Sequence, residues 1–142
     1  MKKRVLIALT VIICIYGITR LGISIFSQPT RANIQSAEDA YKKHFSNIHV
    51  TGSGTVVHIL PDDTRGSRHQ RFILHLPSGQ TLLIAHNIDI APRIKNLKKG
   101  DTVEFSGEYE WNPKGGVVHW THQDPSRRHI GGWLKHNGRV YK

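Results

Sequence analysis

Cysteine is almost absent from these 142 residues: the one cysteine, Cys14, lies near the N-terminus. No disulfide can form within the chain, so stability must come from packing. Cys14 does not mark a lipoprotein either, because bulky Ile13 sits just before it. Acidic residues are scarce, with 10 Asp or Glu against 20 Lys or Arg. Half of that +10 belongs to the start of the chain; beyond Ala32 there are 15 basic and 10 acidic residues, a net +5. Such a balance favours anionic partners such as nucleic acid, phosphate or lipid headgroups, although charge alone selects none of them. A long apolar run is also missing. The stretch Val5 to Ile18 is followed by Arg20, short of the roughly 20 residues needed to cross a bilayer.

What the N-terminus does hold is an export pattern. Lys2, Lys3 and Arg4 form a positive region ahead of the apolar run. No small-x-small triplet follows closely, and Thr30-Arg-Ala32 is far from the run. A retained anchor therefore fits better than a removed peptide. Snorkelling by Arg20 lets the helix continue through Phe26. The basic flank places the N-terminus inside and the remaining chain beyond the cytoplasm. The expectation is a signal anchor or signal peptide over residues 1–26. It makes the chain a single-pass inner-membrane protein, or a periplasmic or secreted one if the segment is cleaved. A polar linker and short helix follow over 27–46, and one modest domain over 47–142.

Within the domain the patterning is mainly that of strands. Ser36 can cap a short helix through about Phe45, with Ala37, Ala40, Tyr41 and Phe45 to one side. From His49 to Leu60 the chain is strand-like, and Gly52 and Gly54 suggest a bulge or bend. Arg68 to Leu76 alternates, and Pro77-Ser-Gly-Gln80 turns the chain into Thr81–Asn87. Between Asn87 and Gly100 lies a helix signal: Ile90, Ile94 and Leu97 recur at helical spacing, Pro92 suits a first turn, and Gly100 can end it. Val103, Phe105, Tyr109 and Trp111 then alternate with Glu104, Ser106, Glu108 and Glu110, and Val117 to Thr121 returns. Three strands, a short helix and two strands is the order of an OB-fold, a small Greek-key barrel. Another small barrel or a half-open sandwich is the alternative. Asn137-Gly138 between Trp133 and Tyr141 signals a tight type I′ hairpin at the C-terminus.

The hairpin from Gly107 to Pro125 concentrates the chemistry. Aligning Val118 and Trp120 with the aromatic face places His119 opposite Glu108 or Glu110. A carboxylate beside a histidine orients the ring, as for a general base or metal ligand. An exposed pair of this kind, taken singly, contributes little. His122 and Asp124 follow, and His129 lies five residues further on. In a straight strand His119 and His122 point to opposite faces, so joint action requires a bend near Thr121. His119, His122, Asp124 and His129 together are compatible with a divalent metal, yet their spacing matches no defined zinc motif. Trp120 falls on the apolar face and is expected in the core.

Strand ends of a small barrel carry loops to a common mouth. His69, Gln70, His86, Asn87, Arg93 and Trp133 are the substrate-binding candidates there. His119, His122, Glu108, Asp124 and Arg71 are the catalytic ones, with Arg71 and Arg93 suited to an anionic oxygen. For any one of these residues a structural role is the stronger reading; their number raises the prospect of a site.

Residues Ser53 to Tyr141 resemble a family of small exported or anchored bacterial proteins known as a domain of unknown function. The likeness rests on Arg68-His-Gln-Arg71, Ala85-His-Asn-Ile-Asp89, Gly107-Glu-Tyr-Glu-Trp-Asn112, His119-Trp-Thr-His122, Asp124-Pro125 and Gly132-Trp133. It implies no activity. A looser likeness to secreted OB-fold nucleases of the staphylococcal type is architectural only, since their Asp/Arg/Glu calcium pattern is not recognisable here. Two functional expectations stand side by side. One is a hydrolase acting on a phosphodiester or similar anionic substrate, with or without a divalent metal. The other is a non-catalytic module binding nucleic acid, another anionic polymer or an envelope protein. A purely structural envelope protein with a solvated histidine strip is the plainest alternative.

Overall fold

A long strand shared among three neighbours organises the domain. The computed structural model describes residues 35–142, so the expected anchor over 1–26 and most of the polar linker lie outside the described residues. Among the described residues no helix is long and apolar enough to cross a membrane. The elements are β1 (Gln35–Ser36), α1 (Ala37–Lys42), β2 (Ile48–Asp63), β3 (His69–His75), β4 (Thr81–Asn87), β5 (Thr102–Glu110), β6 (Val117–His119), β7 (Trp133–His136) and β8 (Arg139–Tyr141). The domain is thus mainly β, with one short helix among the described residues.

The first half of β2, Ile48 to Thr55, pairs antiparallel with β5, and its second half pairs antiparallel with β3. Thr55 faces both partners, Thr102 on β5 and His75 on β3. β3 pairs with β4, β4 runs parallel to β6, and β6 pairs with β5. The pairings therefore return to β2. β7 takes the part of β5 that β6 leaves free and forms a hairpin with β8. Asn137 and Gly138 have φ of 49° and 76°, the left-handed pair that a type I′ turn requires.

Alternation decides what lies inside. Val50, Val56, Phe72, Leu74, Leu82, Ile84, Val103, Phe105, Tyr109, Val118 and Leu134 are buried in one core. Ser36 caps α1 by accepting a hydrogen bond from the Asp39 amide at 3.1 Å. Ala37 and Ala40 enter the same core, so the helix belongs with the sheet rather than preceding it.

Two local expectations are corrected. Gly52 and Gly54 make no bulge, since the register runs unbroken from Ile48 to Thr55. The irregularities come later, between Val56 and His58 and between Leu60 and Asp63. The two glycines instead leave room: a Cβ on Gly52 would lie 2.6 Å from Phe105 Cζ, and one on Gly54 would lie 3.0 Å from Leu74 Cβ. The second correction concerns Ile88 to Gly100, which forms successive turns and no helix. Gln70 is the physical reason. Its buried amide donates to the Ile94 carbonyl at 3.0 Å and accepts from the Ile94 amide at 2.9 Å, taking groups a helix would need. Asn96 is left-handed, with φ 58°. Ala91 and Ile94 are buried all the same, so their spacing reflects docking of an irregular loop.

Gly52→Val, which strand propensity alone favours, is expected to destabilise the domain by about 1–3 kcal/mol through overpacking against Phe105. The check is the urea unfolding midpoint of the variant against the wild type.

Candidate functional site

The distal end of β6 is built by one unusual residue. Trp120 has φ 52°, a left-handed conformation that costs a bulky residue roughly 1–2 kcal/mol. Gly132 accommodates it: a side chain there would strike the carbonyl oxygens of Trp120 and Ser106. The Gly132 amide donates to the His122 carbonyl at 2.9 Å. The alternation of β6 is thereby broken. Trp120 comes out half-buried, correcting its expected place in the core, while Thr121 and His122 turn inward and are buried.

His119 and His122 consequently line one cavity, with Ser67, His69, Asn87, Ile90 and Trp120, of about 300 Å³. His69 opens β3 and Asn87 closes β4 directly opposite it. Two rings here have their orientation set by the backbone. His122 Nδ1 is 2.7 Å from the Gln123 carbonyl, and His69 Nδ1 is 2.8 Å from that of Ser67. A carbonyl only accepts, so each neutral ring carries its proton on Nδ1 and holds an unprotonated lone pair on Nε2.

Beside the cavity, one of the two expected hairpin registers is present: Glu108, not Glu110, faces His119 across β5 and β6, and on its other flank Glu108 faces His49 of β2. His119 Nε2 lies 3.3 Å from Glu110 Oε1 and 3.8 Å from Glu108 Oε1, and His129 Nδ1 lies 3.5 Å from Glu108 Oε2. The His129 ring stacks on Trp120, with centroids 4.0 Å apart and planes at 17°. His49 Nε2 approaches Ser106 Oγ at 2.7 Å. Burial holds His49 below its ordinary range, and Glu108 partly offsets this.

Other candidates are structural. Asp124 accepts from the Ser126 amide and hydroxyl and from the amides of Arg128 and His129. These bonds, that of the Ser126 hydroxyl foremost, hold its carboxyl far below the usual carboxylate range. Asp124 therefore shapes the loop that presents His129 and is no free ligand, so the set His119, His122, Asp124 and His129 does not assemble. Arg71 donates from Nε and Nη2 to the Pro61 carbonyl at 3.1 and 3.0 Å, and its guanidinium, still charged, is not among the groups that line the cavity. Arg93 pairs with Asp62, and Gln70 clamps Ile94. Trp133 stands opposite Ser106 on β7 and lines a separate surface depression with Glu104 and Lys135.

His86 is also committed to the fold. Fully buried, it contacts Thr121 Oγ1 at 2.8 Å and the Pro92 carbonyl at 3.1 Å. It thereby ties β4 to the loop after it and to the bend after β6. Burial pushes its pKa down to about 4, with the Pro92 carbonyl opposing. The groups that sequence reasoning missed are Ser67, Ile90 and the outward-turned Trp120. Pairing with β5 also brings in His49, which no local signal points to.

Residues 19–142 match the family described as Protein of unknown function (DUF3465). The chain belongs to this family. Every residue of the cavity and of the adjoining carboxylate–imidazole cluster falls within that match. No curated protein matches the chain.

A histidine held below its unfolded pKa favours the fold when neutral, so its contribution is complete above pH 6.5 and fades as pH falls toward 4. Wild-type domain is expected to lose roughly 3 kcal/mol from this residue over that window. In His86→Gln the share of the slope between pH 6.5 and 4 that His86 supplies should vanish, leaving that of His49, read from denaturant unfolding at several pH values. Asp63, Asp89, Asp101 and Asp124, all held below the usual carboxylate range, lose their contributions at still lower pH.

Proposed function

We propose that this domain is an OB-like barrel that hydrolyses a phosphodiester or similar anionic ester at its mouth. The retained N-terminal segment would tether it to the inner membrane, with the domain beyond the cytoplasm. Support for the architecture comes from the cyclic pairing β2–β3–β4–β6–β5, with β4 parallel to β6 and β2 shared. Support for the chemistry rests on one observation: His69 and His122 share a cavity and each has Nδ1 satisfied by a backbone carbonyl. An imidazole so held is oriented for proton transfer through Nε2.

In this reading His122 Nε2 removes the proton from the attacking water as the new P–O bond forms. The bond to the leaving oxygen breaks, and that oxygen takes a proton from His69 in its imidazolium form. Asn87 and Ser67 offer hydrogen bonds to non-reacting oxygens, and Trp120 with Ile90 provides an apolar wall for a base or sugar. A second reading is a non-catalytic binding module for nucleic acid or another polyanion. It draws on the net +5 beyond Ala32 and on half-exposed Trp133 over the Thr51–Ser53 stretch of β2.

Full-length chain incubated with RNA, single-stranded DNA and a chromogenic diester is expected to release product. His122→Ala and His69→Ala should each lower the rate by about 10²–10⁴-fold. Unaltered turnover in both variants would remove the mechanism. Salt-sensitive association without turnover would favour the binding module.

A further inference from the structure

We infer that Glu108, Glu110 and His119 form a binding site for one divalent transition-metal ion at the lip of the cavity, with His129 flanking Glu108. The inference deepens the hydrolytic reading and rests on it for its purpose, though not for its geometry. One donor atom from each of Glu108, Glu110 and His119 lies within 4.8 Å of the others. The individual separations are more telling. A tetrahedral ion about 2.0–2.1 Å from its ligand atoms has ligand-to-ligand edges of about 3.4 Å. The separations here are 3.3 Å for His119 Nε2 to Glu110 Oε1 and 3.8 Å for His119 Nε2 to Glu108 Oε1, while His129 Nδ1 meets the other oxygen of Glu108 from outside this group. These values suit neighbours around one ion.

Hydrogen bonding does not account for the cluster. His119 Nε2 is buried and has no hydrogen-bond partner, although two carboxylates stand beside it. An orphaned buried nitrogen is costly unless something else occupies its lone pair. Glu108 and Glu110 project from the same face of β5, two positions apart, where like charges repel. A cation between them would relieve both problems. His119 and Glu108 are only 29% and 24% exposed, so water screens the arrangement incompletely.

The approach to the site is built as well. Asp124 gathers the amides of Ser126, Arg128 and His129, fixing the loop from which the His129 ring projects. Trp120 then stacks beneath that ring. One imidazole with two carboxylates suits Zn²⁺, Mn²⁺ or Co²⁺ rather than Mg²⁺ or Ca²⁺, which take all-oxygen shells. Because His119 also lines the cavity, such an ion would supply the positive charge that Arg71, turned onto Pro61, does not.

Full-length chain stripped with a chelator and titrated with Zn²⁺ by calorimetry should take up one ion. Co²⁺ should produce visible d–d absorption. Glu110→Gln, at a half-exposed position that tolerates exchange, and His119→Gln should each weaken uptake at least about tenfold. His122→Asn should bind the ion as the wild type does while losing hydrolysis, which separates ligand from acid–base roles. Absence of saturable Zn²⁺ or Co²⁺ uptake by the wild-type chain would overturn the inference, as would uptake insensitive to both substitutions. Uptake without turnover of any diester would leave the site standing and sink the hydrolytic reading. Turnover by chelated protein that takes up no ion would do the reverse.

Discussion

The left-handed backbone at Trp120 is the constraint on which the candidate site depends. A strand continuing past His119 would carry Trp120 into the core and leave His119 and His122 on opposite faces. The reversal sends the indole outward and brings both imidazoles to one cavity. Its local cost is met by surroundings that pack closely around it. Gly132 packs against the Trp120 carbonyl where a side chain would collide, and His86 receives Thr121 on the inner side. A strained residue so firmly held by its neighbours is the kind found where position matters more than local stability.

Around that bend the polar residues divide into those consumed by the framework and those left with unused capacity. Gln70, His86 and Asp124 satisfy backbone groups of loops that lack regular hydrogen bonding of their own, and Arg71 does so at the irregular end of β2. A small β-domain with long connections needs such residues, since buried or half-buried loop amides and carbonyls must find partners. His69 and His122 spend one ring nitrogen on a carbonyl and keep the other. His119 keeps its Nε2 among carboxylates. The framework residues thus hold the loops that position the uncommitted groups, and the two sets are interleaved along the chain.

Local chemistry was readable in advance wherever a short stretch contained its own partners. Ser36 capping the helix, Asn137-Gly138 turning the hairpin, and Glu108 opposite His119 all follow from residues close in sequence. Misreadings arose where a distant group intervened. The spacing of Ile90, Ile94 and Leu97 resembles a helix, but Gln70, from another strand, takes the Ile94 backbone. Gly52 resembles a bulge residue until Phe105 is set against it. Arg71 resembles an anion-binding residue until the Pro61 carbonyl is placed beside it.

The sequence by itself determined the alternation of inward and outward residues, the turn types, and the placing of carboxylates and imidazoles on facing strands of one hairpin. These depend on pleat and on φ preferences that each residue carries with it. Only the tertiary structure decided which polar groups remain free. Whether a histidine or an arginine has spare hydrogen-bonding capacity depends on carbonyls and amides delivered by segments dozens of residues away. It also decided that His49 stands beside Glu108 and that Trp120 faces outward, because pairing of β2 with β5 and contact with Gly132 exist only once the sheet has closed.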